Sequence, residues 1–411
     1  MKPTCFLPAC LLAAAFAGCT DNSAHDGDDT DSDTDSASDS DTEAPGTDSD
    51  DPLDVDLSGP GHEFLDAATS HPLSLDGTEI PLSQVPMFIV LGIDDNGIAD
   101  TTNRGGATWI REYLELLTNP DGSPARASFY MTGKYGAEWV YESESVVLAA
   151  WRALYEDGHE IGVHSMEHLM YWNSDADWGN YDGRAYTLEE WAELEFNPVM
   201  DVLTATAPDG AGIPRAHLRS WRTPRLEWNN VLFTLLDQEG IVYDCSIESD
   251  PAADPQNEYW PFTLDNGCPF DETVESHPGL WELPAYAFHI PPSLQDAAGT
   301  AAVTGLDYNV LVRTDWGGLQ LSGPQFTEIL QYNLDQRMLG NRCPLLVGLH
   351  SDIYTDLHEK NDEYIGTANA RERQLAVENF IAYALATYPE VRFVSGLQLV
   401  AWLRNPSPVS D

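Results

Sequence analysis

The chain's clearest pattern is an apolar run that ends in charge. Met87, Phe88, Ile89, Val90 and Leu91 follow one another without a polar break, and Gly92-Ile93 leads into the adjacent carboxylates Asp94 and Asp95 and a turn at Asn96-Gly97. A continuous apolar run bounded by a turn reads as a strand buried on both faces, here residues 87–93. Comparable runs lie at 127–131, 159–163, 217–222, 240–244, 280–283, 345–349 and 391–394. Helical spacing between them predicts helices over 107–117, 143–155, 187–205, 229–238, 323–339, 371–387 and 397–404. Pro198 should kink the third of these. Residues 245–321 read as irregular apart from the strand at 280–283. Alternating strands and helices imply a parallel sheet, and this many imply a barrel. The expectation is an α/β chain: an irregular (β/α) barrel of about seven parallel strands, forming a single catalytic domain over 59–411.

The polar residues at strand ends change this from a fold into a candidate enzyme. Asp94, Asp95, His164, Arg222, Asp244 and His350 all fall where a predicted strand finishes, and in such barrels sites form at the carboxyl ends of strands. Neighbouring carboxylates there are costly unless something positive sits on them. His164-Ser165-Met166-Glu167-His168 offers a partner. Two His at i and i+4 share one face of a helical turn and can grip one metal ion. With Asp95 they leave a position open for water, which is a hydrolytic metal site. Taken singly, each feature has a plainer reading: a solvated Asp-Asp turn, an incidental His pair, a salt bridge at Arg222, a buried structural His350.

Composition narrows the partners. The chain has 411 residues, and 68 acids against 19 bases give a net charge of -49, so nucleic acid and other polyanions are excluded. Residues 1–19 read as a targeting segment, with Lys2 followed by an apolar run too short to span a bilayer. Phe16-Ala17-Gly18-Cys19 resembles a bacterial lipobox, which implies cleavage before Cys19, a lipid on its thiol and a place at the cell envelope. An ordinary secretory signal is the other reading. Residues 20–58 carry repeated Asp-Ser and Asp-Thr and no Lys or Arg, and are expected to form a disordered acidic tether. Cys245, Cys268 and Cys343 remain in the domain. Cys245 follows a strand and Cys268 lies in the irregular stretch above the same face, whereas Cys343 precedes a strand. The expectation is a Cys245–Cys268 disulfide with Cys343 free.

Taken in order, these motifs resemble the polysaccharide deacetylases of the NodB-homology type, carbohydrate esterase family 4, over nearly all of residues 86–404. That family's Thr-Phe-Asp-Asp appears as Gly92-Ile93-Asp94-Asp95, its His-Ser/Thr-x-x-His as His164 to His168, its Arg-x-Pro-Tyr as Arg222-Thr223-Pro224-Arg225, and its apolar strand ending in His as Leu345 to His350. Chitin-deacetylase-like members are similar in Tyr243 to Ile247, Trp260 to Leu264 and the closing Trp402 to Pro406. The resemblance implies one divalent metal ion, usually zinc, on Asp95, His164 and His168. It implies Asp94 as the general base, Arg222 as the group that holds Asp94, and His350 as the general acid for the leaving amine. It also implies an Asp supporting that His, for which Asp244 is the candidate. Arg225 stands where the family has Tyr, whose backbone N–H helps hold the oxyanion, and Leu349 would line the acetyl pocket. Trp260 and Trp281 are candidate sugar-stacking rings, with plain core as the alternative. The substrate class implied is an N-acetylated glycan, chitin first and peptidoglycan second. A non-catalytic carbohydrate-binding protein of the same fold is the reading from another class.

Overall fold

The strand Met87–Asp94 (β1) is buried along its whole length, as its unbroken apolar run requires, and the sheet is laid out around it. The computed structural model describes residues 55–57, 80–137, 142–168, 183–357, 365 and 369–409. The remaining strands are β2 (Ser128–Met131), β3 (Glu160–Val163), β4 (Ser220–Trp221), β5 (Tyr243–Asp244), β6 (Phe262–Thr263), β7 (Trp281–Glu282), β8 (Ala287–His289), β9 (Ala302–Thr304), β10 (Leu345–His350) and β11 (Val391–Phe393). The main sheet runs β10-β1-β2-β3-β4-β5-β7-β6, with β11 beside the start of β1. Its first seven members are mutually parallel, and β6 alone turns antiparallel, against β7.

This is the irregular barrel expected, and its closure explains the irregularity. Among the described residues no ladder joins the two ends of the sheet. The β8–β9 hairpin spans the gap instead. Ala285, just before β8, bridges to Glu248, and Leu306, just after β9, forms a parallel bridge to Gly348 of β10. A side chain at Gly348 would put its Cβ 2.1 Å from Leu306 Cδ2, so glycine permits the approach. The predicted irregular stretch 245–321 thus contains the closing element.

Several expectations change in detail. β4 and β5 hold only two residues each in the ladder, because Arg215–His217 coils into a 3₁₀ turn and Arg222 and Thr223 leave the sheet to build the site. The kink foreseen at Pro198 is a π turn: the helix runs Leu188–Glu190, widens over Trp191–Phe196, and continues as Asn197–Thr204. Proline has no N–H to give, and wider bonding ahead of it absorbs the defect. Val55 and Leu57 pack against the core, and the Leu57 carbonyl accepts a bond from Arg404. The domain therefore includes residues assigned above to the acidic tether. Residues 1–19, Cys19 and the rest of 20–58 lie outside the described residues, apart from Asp56 between those two contacts. No described helix is long and apolar enough to cross a membrane.

Candidate active site

The sheet register sets two titratable groups side by side. β1 and β10 run in parallel with Asp94 opposite His350. Asp94 is buried, and Arg222 Nη1 donates to its Oδ1 at 2.8 Å and to the Gly92 carbonyl at 3.3 Å. A Cβ on Gly92 would lie 2.7 Å from Arg222 Nη2. Glycine at 92 leaves room for the guanidinium to cross the strand. Arg222 Nε donates to Cys245 Sγ at 3.2 Å, and the guanidinium lies 4.4 Å from the centre of the Tyr130 ring. Burial opposes its charge, but Asp94 outweighs this and holds Arg222 well above its ordinary range.

The chain goes left-handed just after Asp94, with φ 70° at Asp95 and 55° at Asn96. Asp and Asn tolerate that region better than other side chains. The turn is fixed by the Asn96 amide, which donates to the Ile93 and Tyr130 carbonyls at 2.8 and 3.0 Å, and by Trp151 Nε1, which donates to the Asn96 carbonyl at 2.7 Å. Thr132 Oγ1 donates to Asp95 Oδ1 at 3.2 Å.

His164 and His168 face Asp95, though not from a helical turn as their spacing predicted. Ser165 and His168 are left-handed, at φ 66° and 55°, and the segment carries no helix. One ligand atom from each of Asp95, His164 and His168 lies within 4.8 Å of the others. His168 Nε2 is 3.3 Å and His164 Nε2 3.9 Å from Asp95 Oδ1. His164 Nδ1 is 2.7 Å from the Arg222 carbonyl. A carbonyl can only accept, so Nδ1 carries the proton and Nε2 offers its lone pair to the cluster. Burial lowers both imidazoles, His164 well below its ordinary range and His168 to about 4. They are neutral at pH 7, as metal ligands must be. Burial pushes the Asp95 carboxyl up to about 7 against the pull of His350, and a buried carboxylate of this kind wants a cation. Two neutral imidazoles and a carboxylate are a donor set that suits a divalent metal ion.

His350 is held by a residue that sequence reasoning missed. Its Nδ1 lies 2.7 Å from Asp307 Oδ1, and its backbone N–H donates to Asp307 Oδ2 at 2.9 Å. Burial alone would lower its pKa, but fully buried Asp307, aided by Asp94 and Asp95, pushes it up to about 10. Asp244 does not support His350. Its carboxylate accepts from Ser246 N at 2.9 Å and Ser246 Oγ at 2.7 Å, and that Oγ accepts from Thr223 N at 2.8 Å. Asp244 therefore braces the turn that presents Arg222. Asp307 opens a short helix, Asp307–Leu311, within the stretch that carried no periodic signal. The only cue was an acidic residue just after Gly305-Leu306, where the chain meets β10.

The remaining candidates divide. Arg225 sits at the rim of the Arg222 turn with φ 56° and pairs with Glu227 at 3.1 Å. Leu349 is fully buried beside Ile93, one residue before His350. Trp260 and Trp281 are both 0% exposed, so they are core and cannot meet a sugar. The predicted disulfide is absent: Cys245, Cys268 and Cys343 are all free. Cys245 faces inward under Arg222, and its thiol donates to the Trp221 carbonyl, away from the surface loop that holds Cys268.

No family model matches this sequence. Chitin deacetylase 1 of Bombyx mori is 24% identical over 362 residues, covering 82% of this chain and 55% of that protein. The chain thus spans about half the length of that relative. Among solved structures, a polysaccharide deacetylase from Mycobacterium smegmatis is similar over 82% of this chain and 94% of its own, at 15% identity and a TM-score of 0.48. A family 4 carbohydrate esterase from Streptomyces lividans, solved with acetate, covers 39% of this chain and 62% of its own, at 16% identity and a TM-score of 0.24. The chain is similar to the polysaccharide deacetylases of the NodB type in the order of its motifs, in the residues those motifs bring together and in its relationship to a chitin deacetylase.

Proposed function

We propose that this chain is a metal-dependent hydrolase that removes acetyl groups from the amide nitrogens of a glycan, with chitin or its oligomers as substrate. One observation carries the reading: a carboxylate held by arginine, Asp94, lies across a strand pair from a cationic imidazole, His350, and both border the Asp95–His164–His168 cluster.

A divalent ion on those three ligands would supply Lewis acidity and make water more acidic at neutral pH. The proton transfers belong to the chain. Asp94, held by Arg222, takes a proton from the attacking water as oxygen bonds to the acetyl carbon. His350, kept protonated by Asp307, gives its proton to the amide nitrogen, because an amine leaves readily only once protonated. The C–N bond then breaks, leaving acetate and a glucosamine unit. The backbone N–H at Arg225 is the candidate donor to the developing oxyanion. The sequence at Phe16 to Cys19 supports placing the enzyme at a bacterial envelope through a lipid on Cys19.

Acetate release from a panel of chitin oligomers, peptidoglycan and acetylated xylan tests the substrate. Release from the oligomers at the highest kcat/KM is expected. Preference for peptidoglycan would replace chitin in the reading, and binding without release from any of them would make the protein a non-catalytic carbohydrate binder.

A further inference from the structure

The widened turn Trp191–Phe196 buries a carboxylate as well as two aromatic rings. It carries Glu193 on the solvent side and turns Glu195 inward, to 1% exposure. Burying a carboxylate is costly unless its oxygens are satisfied, and Glu195 spends its bonds largely on one object. Its Oε2 accepts from Met166 N at 3.1 Å and Glu167 N at 2.9 Å. Ser165 also donates to this carboxylate, and the Ser165 hydroxyl accepts from His168 N at 3.0 Å. Tyr186 Oη donates weakly to the other oxygen, Oε1, at 3.4 Å. From the opposite side, Gly133 N and Lys134 N donate to the Ser165 and Met166 carbonyls, both at 2.9 Å. The segment gripped is the non-helical turn that runs from His164 to His168.

We propose that Glu195 is a positioning residue that holds this left-handed turn in the shape that brings His164 and His168 together on one metal ion. The inference rests on the metal-site reading above. Outer groups that fix ligand geometry govern affinity without touching the metal. The π turn is the device that makes it possible. One residue of extra winding rotates the helix on its amino-terminal side by about 100° relative to the helix on its carboxyl-terminal side. Pro198 sits where that extra winding ends, and Trp191 and Phe196 pack on Trp221, with ring centroids at 6.2 and 5.8 Å. Glu195 is thereby presented from a rigid element rather than from a loop.

Zinc affinity of the full chain, measured by competition with a chelator, tests this without any turnover. Glu195→Gln keeps the shape but turns one accepting oxygen into a donor NH2 and leaves the other a neutral, weaker acceptor for these N–H groups. It should weaken zinc binding by about 10–100-fold. The metal-free melting temperature should change little, and Glu193→Gln on the same turn should bind as wild type. Wild-type affinity in Glu195→Gln would overturn the proposal. Hydrogen exchange on the unmutated, metal-free protein provides a second judgement should the variant not fold. The amides of Met166, Glu167 and His168 should be protected, and exchange at the rate of an open loop would overturn it. A wild-type protein that binds no zinc would fail the functional reading instead, and the exchange rates would still judge the clamp.

Discussion

The proposed function gives Asp94 and His350 one proton transfer each, and substitution can separate them. Asp94→Asn keeps the bond from Arg222 but cannot take a proton. Turnover should fall by about 10²-fold or more while metal content stays near wild type. His350→Ala should fall by about 10²-fold on an amide and recover on an ester whose leaving group needs no proton. Equal losses on both substrates would remove His350 from the acid role. Asp307 gives a pH test. With Asp94 and Asp95 it raises His350 from 6.5 to about 10, so this contribution to stability is fully present below about pH 6.5 and is lost as pH rises through about 10. Asp307→Asn should move the alkaline limit of activity down toward the ordinary histidine value. Its destabilisation of the metal-free protein should be largest in acid and fade in alkali. An unmoved limit would show that Asp307 does not set the proton on His350. At this scale Asp94, Asp95, His164, His168, Arg222 and His350 were legible because they lie at or beside strand ends. Asp307 was not, because no periodicity marks its neighbourhood, and Asp244 was misassigned because position on a strand end does not say which way the side chain's bonds run.

Elements explain why those six residues meet. The β1–β10 register brings Asp94 to His350, and the glycine at 92 clears the way for Arg222. Gly92→Ala should force the guanidinium off Asp94, costing about 1–3 kcal/mol of stability by overpacking together with most of the activity. Denaturant unfolding and kcat measure both, and an unchanged variant would mean the arginine has room to spare. The long apolar strands and helices were readable from sequence. β4 and β5 were readable too, though not that each keeps only two residues in the ladder; β6 and the β8–β9 closure were not, since ladders that short contain no period to detect. Pro198 announced a disturbance in its helix, but only the fold shows that the disturbance turns a carboxylate inward. The His-x-x-x-His spacing was read as a helical pair, whereas two left-handed residues make the contact.

Across the whole molecule, the acid excess sets partners rather than fold. The net charge of -49 disfavours polyanions, while a glycan that gains protonated amines as it is deacetylated meets no repulsion. The amino-terminal boundary is testable. Removing residues 20–54 should leave the melting temperature unchanged, because that composition offers little apolar surface to bury. Extending the deletion through Leu57 should cost about 1–2 kcal/mol, from the lost packing of Val55 and Leu57. Equal melting of the two truncations would mean that this contact adds nothing. The central claim, that a single metal site with an attendant base and acid hydrolyses the amide, is tested most directly by acetate release from chitin oligomers before chelation, after it and after metal is restored. About one zinc per chain is expected, with loss of release on chelation and its return with added zinc. Full turnover by a metal-free sample would contradict it.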